Sequence, residues 1–136
     1  MKPCVVYFSR TGNTKRLAQA IAEAVKAPLF DLASTQPLAL AEFDLLILGT
    51  PVEGASPAKE TAAYIETLPK VENKKAFLFC TYRAFGNERT MKKMEKQLEN
   101  KGDAMAGKVS KKGMDPRKEA DFSKELNEVK KAFEKQ

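Results

Sequence analysis

Residues 5–14 read Val5-Val6-Tyr7-Phe8-Ser9-Arg10-Thr11-Gly12-Asn13-Thr14. The β-branched and aromatic residues over 3–8 predict a buried strand. A short polar turn, Ser9 to Asn13, follows. From Thr14 to Val25, the side chains of Leu17, Ala18, Ile21, Ala22 and Val25 recur at helical spacing, with Lys15, Arg16, Gln19 and Glu23 on the other side. Strand, tight turn and helix together open a βα unit. A helix start exposes unpaired N–H groups and the positive end of the helix dipole, which suits a phosphate. Ser9, Thr11 and Thr14 add hydroxyl donors, and Gly12 allows close approach and angles closed to other residues. Asn13 tolerates unusual angles and is placed to cap the helix. The stretch has neither the Lys-Ser/Thr ending of a nucleoside-triphosphate loop nor G-x-G-x-x-G spacing, so it is read as holding a monophosphate without Mg²⁺.

The rest of the chain repeats the alternation. A brief strand is expected over 28–32, and Pro37 to Phe43 is ambiguous between loop and one helical turn. Residues 44–49 are nearly continuously apolar, as in a central parallel strand. A helix is predicted from Ser56 as cap and Pro57 as first residue to about Leu68. A strand over 75–81 precedes a helix from Glu88 to Lys101, with Met91, Met94 and Leu98 on one face and Gly102 as its stop. A weak strand at 104–110 leads to a final helix from Asp115 to Lys135, with Asp115 as cap, Pro116 first, and Phe122, Leu126, Val129 and Phe133 facing inward. This order predicts a single α/β domain over 1–136, a doubly wound parallel sheet with helices on both faces.

Composition narrows the chemistry. The 136 residues contain no histidine, which removes Ser-His-Asp and Cys-His catalysis and argues against a zinc site. Two cysteines, Cys4 and Cys80, are read as small core residues rather than a disulfide. No apolar run approaches the roughly 20 residues of a membrane span, and the opening run is too short for a signal peptide, so a cytoplasmic setting without membrane contact is expected. The formal net charge is +6, yet residues 27–69 carry one basic and six acidic side chains. A basic balance suggests an acidic partner or a solvated charged surface. No nucleic-acid motif accompanies the charge.

Ser-Arg-Thr-Gly-Asn-Thr after Val-Val-Tyr-Phe resembles the FMN-phosphate loop of the flavodoxin family, of the short-chain type. Two later segments extend the resemblance: Gly49 to Pro57 after the third predicted strand, and Thr81 to Asn87 after the fourth. It implies a five-stranded sheet of order 2-1-3-4-5, with the cofactor beyond the carboxyl ends of the strands. It also implies noncovalent FMN, with Ser9, Arg10, Thr11, Gly12, Asn13 and Thr14 around the phosphate. Thr50, Pro51, Val52, Glu53 and Gly54 would lie on one side of the ring. Thr81, Tyr82, Arg83, Phe85, Gly86 and Asn87 would lie on the other, with Phe85 favoured over Tyr82 for stacking. Gly54 matches the glycine whose carbonyl turns towards flavin N5 when that atom gains a proton. The implied function is a one-electron carrier, a monomer shuttling low-potential electrons between redox partner proteins. An NAD(P)H-dependent FMN or quinone reductase on the same fold is the alternative, and an interaction domain without cofactor is a third. The chain departs from the family at Glu53, where many members carry Met or Trp, and in its basic charge, where members are usually acidic.

Overall fold

The computed structural model describes residues 2–34, 40–115 and 117–134. Five parallel strands form the sheet: β1 (Pro3–Tyr7), β2 (Leu29–Asp31), β3 (Leu45–Glu53), β5 (Lys75–Tyr82) and β6 (Ala104–Lys112). A two-residue strand, β4 (Ser56–Pro57), folds back antiparallel on the end of β3. The order is β2-β1-β3-β5-β6, which is 2-1-3-4-5 once the short β4 is set aside. In register, Val5 lies beside Ile47, and Ile47 beside Phe77.

Alternation along the strands makes two cores. Cys4, Val6, Leu46, Leu48, Ala76, Leu78 and Cys80 face one side, where they meet Ile65 of α2 (Lys59–Thr67) and Met91, Met94 and Leu98 of α3 (Asn87–Asn100). Val5, Tyr7, Leu45, Ile47, Phe77 and Phe79 face the other, against Leu17, Ile21 and Val25 of α1 (Asn13–Val25) and Val129 and Ala132 of α4 (Ser123–Glu134). A strand buried on both faces has no polar side to show, which is why β1, β3 and β5 read as unbroken apolar runs. Cys4 and Cys80 are both buried and free. They sit on β1 and β5, with β3 between them.

Three helix starts differ from the expectation. Ser56 and Pro57 belong to β4, so α2 begins two residues later, at Lys59. The cause is a two-residue hairpin: Glu53 pairs with Ser56, and Gly54 and Ala55 both take positive φ, the requirement of a tight turn matched to strand twist. The start of α2 is held from the sheet, because the Thr50 hydroxyl accepts the Ala58 N–H and the Thr61 O–H, each at 3.0 Å. In α1, Gly12 rather than Asn13 occupies the cap position, with φ of 101° and no side-chain cap bond. The last helix begins at Ser123, not near Asp115. Asp115 instead accepts the Arg117 N–H at 2.9 Å, and Asp121 accepts the Ser123 N–H at 2.9 Å, just ahead of α4. Pro116, Lys135 and the first three residues of the ambiguous Pro37–Phe43 stretch lie outside the described residues, and its remainder is a turn in which the Phe43 N–H donates to the Leu40 carbonyl at 3.0 Å. Phe122, Leu126 and Phe133 pack against the core only partly buried, while Val129 is fully buried.

Candidate functional site

The loops leaving β1, β3, β5 and β6 meet beyond the carboxyl ends of the strands. Between them is an open cavity of about 590 Å³. Its walls are Arg10, Thr11 and Asn13 from the first loop, Pro51, Val52 and Glu53 from the second, and Thr81, Tyr82 and Arg83 from the third. Gly113 and Met114, after β6, complete it. A second cavity of about 410 Å³ lies at the opposite edge, near Cys4, Leu46 and Lys74. It is remote from the four loops.

The first loop is an amide-lined turn. Ser9 Oγ accepts the N–H of Gly12 at 3.1 Å and of Lys15 at 3.2 Å. The N–H groups of Asn13 and Thr14, at the positive end of α1, donate to no described residue. Gly12 faces open space where a Cβ would stand, and its left-handed φ suits glycine. Thr14 is buried, and its hydroxyl lies 2.8 Å from that of Thr81. Thr11 is exposed. Asn13 Nδ2 donates to the Met114 carbonyl at 3.3 Å, while its Oδ1 is buried with no hydrogen-bond partner.

The second and third loops pack on one another. A Cβ on Gly86 would lie 2.9 Å from Ala55 Cα and 3.1 Å from Val52 Cγ1. Its φ is 95°, and it forms the cap of α3 as Gly12 does that of α1. Asn87 Nδ2 donates to Ser110 Oγ at 3.0 Å, tying the third loop to β6. Gly113 N–H donates to the Tyr82 carbonyl at 2.8 Å. Tyr82 is half-buried and lines the cavity, whereas Phe85 is 78% exposed and is not part of its wall. Thr50 is fully buried behind the site, its hydroxyl committed to α2.

Charge in the cleft is arranged by Arg10. Its Nε donates to Glu53 Oε2 at 2.5 Å, and its Nη2 to Glu53 Oε1 and Glu60 Oε1 at 2.9 Å each. The guanidinium lies 4.8 Å from the Phe8 ring centroid. The Arg10 hydrogen bond holds the Glu60 carboxyl below its ordinary pKa, and Glu53 followed by Glu60 raises that of Arg10. Among the described residues Arg83 has no ion-pair partner.

Sequence reasoning missed Gly113 and Met114. They follow β6 as the other loops follow β1, β3 and β5, so the rule of the carboxyl edge was the available signal. It was hidden because the strand runs to Lys112 and α4 starts well beyond Asp115.

The family model of the flavodoxin domain matches residues 4–136. Flavodoxin from Megasphaera elsdenii is 31% identical over 111 residues, 76% of this chain and 80% of that protein. The solution structure of two-electron reduced M. elsdenii flavodoxin superimposes with a TM-score of 0.74 at 26% identity, over 98% of this chain and 99% of that one. The flavodoxin of Streptococcus pneumoniae TIGR4 matches in fold, with a TM-score of 0.77 at 16% identity over 98% and 96% of the two chains. The chain therefore belongs to the flavodoxin family, and the family implies a flavin cofactor.

The residues present fit a flavin nucleotide. The loop at α1 offers free amides, the orphaned Asn13 Oδ1 can accept from a hydroxyl, and Val52 and Tyr82 offer apolar and aromatic surface in the same cavity. No helix among the described residues is long and apolar enough to cross a membrane.

Proposed function

We propose that this protein is an FMN-binding one-electron carrier that passes electrons between redox partner proteins. The observation carrying this reading is that Arg10, Thr11 and Asn13, from the turn that opens α1, line the same cavity as Val52 and Tyr82. Backbone amides and the dipole of α1 would hold the phosphate. Val52 and Tyr82 would lie against the ring, and the exposed Phe85 would close over it by a change of rotamer. Asn13 Oδ1 would accept from a hydroxyl of the linking chain. Gly54 lies in the hairpin turn that follows Glu53, and its carbonyl would accept a hydrogen bond from a flavin N–H. Bound FMN would supply the electron-transfer chemistry itself, and the protein sets its potential.

The partner is read as an acidic protein surface in the cytoplasm. The chain carries +6, and Arg83, Arg89 and Lys112 stand exposed on the segments around the cleft. Attraction of this kind raises association rates and weakens with salt.

The test is a visible spectrum of the purified protein with added FMN, followed through stepwise dithionite reduction. Uptake of FMN with two separable one-electron potentials is expected. Direct bleaching by NADPH would replace the carrier with a reductase. Absence of FMN uptake would overturn the reading.

A further inference from the structure

Arg10 joins three segments through one side chain. It comes from the turn between β1 and α1. Glu53, the last residue of β3, receives both prongs of its guanidinium, and Glu60, in the first turn of α2, shares one of them. Phe8 supports the guanidinium from below at 4.8 Å. A bidentate fork fixes orientation as well as distance. The groups are partly exposed, at 45% for Arg10 and 35% for each carboxylate, so the contact adds little to global stability.

What it can fix is the hairpin. Glu53 immediately precedes Gly54 and Ala55, both with positive φ. A left-handed alanine is strained, so this turn sits in a conformation that its own sequence does not favour. Its position has to be held from outside. On one side the hairpin is wedged against Gly86. On the other, the ion pair that reaches it among the described residues is that of Arg10 with Glu53, and Lys93 Nζ donates to Ser56 Oγ further along the turn.

We propose that Arg10 is a positioning residue: it locks the 52–57 hairpin to the amide-lined turn, so that the two walls of the cleft are set together. This also accounts for Glu53, a carboxylate at the lip of a cleft that has to accept an anion. Arg10 neutralises it in place. The proposal rests on the reading of the cleft as a flavin site, but it makes a separate claim about the empty protein.

Two measurements test it. In the FMN-free protein, the backbone amide order parameters of Gly54 and Ala55 are measured by NMR for wild type, Arg10→Ala, Arg10→Lys, Glu53→Gln and the double variant Arg10→Ala/Glu53→Gln. Loss of order at both amides is expected in Arg10→Ala and Glu53→Gln, no further loss in the double variant, and partial recovery in Arg10→Lys, which keeps the charge without the fork. Unchanged order in Arg10→Ala would overturn the proposal. Next, dissociation constants are measured for FMN and for riboflavin, which lacks the phosphate. Arg10→Ala and Glu53→Gln should each weaken both ligands by a similar factor, roughly tenfold, as when a residue supporting a contact residue is lost. Weakening of FMN alone would make Arg10 a phosphate ligand and overturn the positioning role. If wild type takes up neither flavin, the functional reading fails, and the amide order parameters still decide the role of Arg10.

Discussion

The hydroxyl of Thr14, on the first turn of α1, lies 2.8 Å from the hydroxyl of Thr81 at the carboxyl end of β5. Both residues are buried. Two loops far apart in sequence are thereby fastened beneath the floor of the cleft. Removing one hydroxyl strands the other in an apolar setting, so Thr14→Val should cost about 1–2 kcal/mol. The pair Thr14→Val/Thr81→Val should recover part of that loss. Urea midpoints of the four proteins in the cycle measure the coupling, and additive losses would show that the two hydroxyls act independently.

Gly86 is constrained twice, by a φ of 95° and by Ala55 Cα at 2.9 Å from where a Cβ would stand. The obstacle is backbone, which cannot swing aside as a side-chain tip can. Gly86→Ala should therefore destabilise the fold by about 1–3 kcal/mol. It should also push the 52–57 hairpin from the third loop, visible as amide shift changes at Val52 and Ala55. A stable protein with unshifted amides would count against the packing described here.

Burial pushes the thiols of Cys4 and Cys80 up from 9.0 to about 12, with Lys74 pulling slightly the other way at Cys4. A group whose pKa rises on folding keeps its proton more firmly in the native state. Its contribution is full below pH 9 and is lost as the pH climbs towards 12. Wild type should lose stability across that window faster than Cys4→Ala/Cys80→Ala, as read from urea midpoints. At pH 8 neither thiol should react with a disulfide reagent until urea unfolds the chain.

Arg83 is the cation of the cleft wall that no acidic group among the described residues offsets. Its charge favours extra electrons on anything bound there. Arg83→Ala should make the second one-electron potential of bound FMN more negative by about 20–40 mV, less than the 59 mV that marks a tenfold change. An unmoved potential would mean that the guanidinium is fully screened by water.

Much of this was legible in the chain because the pattern was redundant. Val5 to Thr14 showed strand, turn and helix in ten residues, and the apolar runs at 44–49 and 75–81 read as buried strands. Where reading failed, two local signals competed. Ser56-Pro57 is a good helix opening, yet the cross-strand pairing of Glu53 with Ser56 captured both residues for the hairpin. Asp115-Pro116 is another such opening, but the chain uses the segment after Lys112 as a fourth wall for the cleft. Arg16 holds that segment, donating to the carbonyls of Asp115 at 3.2 Å and Lys118 at 2.6 Å. The ion pair of Arg10 with Glu53 bridges 43 positions, and nothing in the spacing of either residue announces the other.

The turn that opens α1 begins on a glycine, and its ready donors are main-chain amides. Such donors never titrate. With no histidine anywhere in the chain, and with the Glu60 carboxyl held below its ordinary pKa by the Arg10 hydrogen bond, the cleft carries no side chain whose ordinary pKa lies near neutrality. Any change in the uptake of a phosphorylated ligand around neutral pH must then come from the ligand, whose second ionisation falls near pH 6. Riboflavin, which has no phosphate to ionise, should bind with one and the same affinity on both sides of that point.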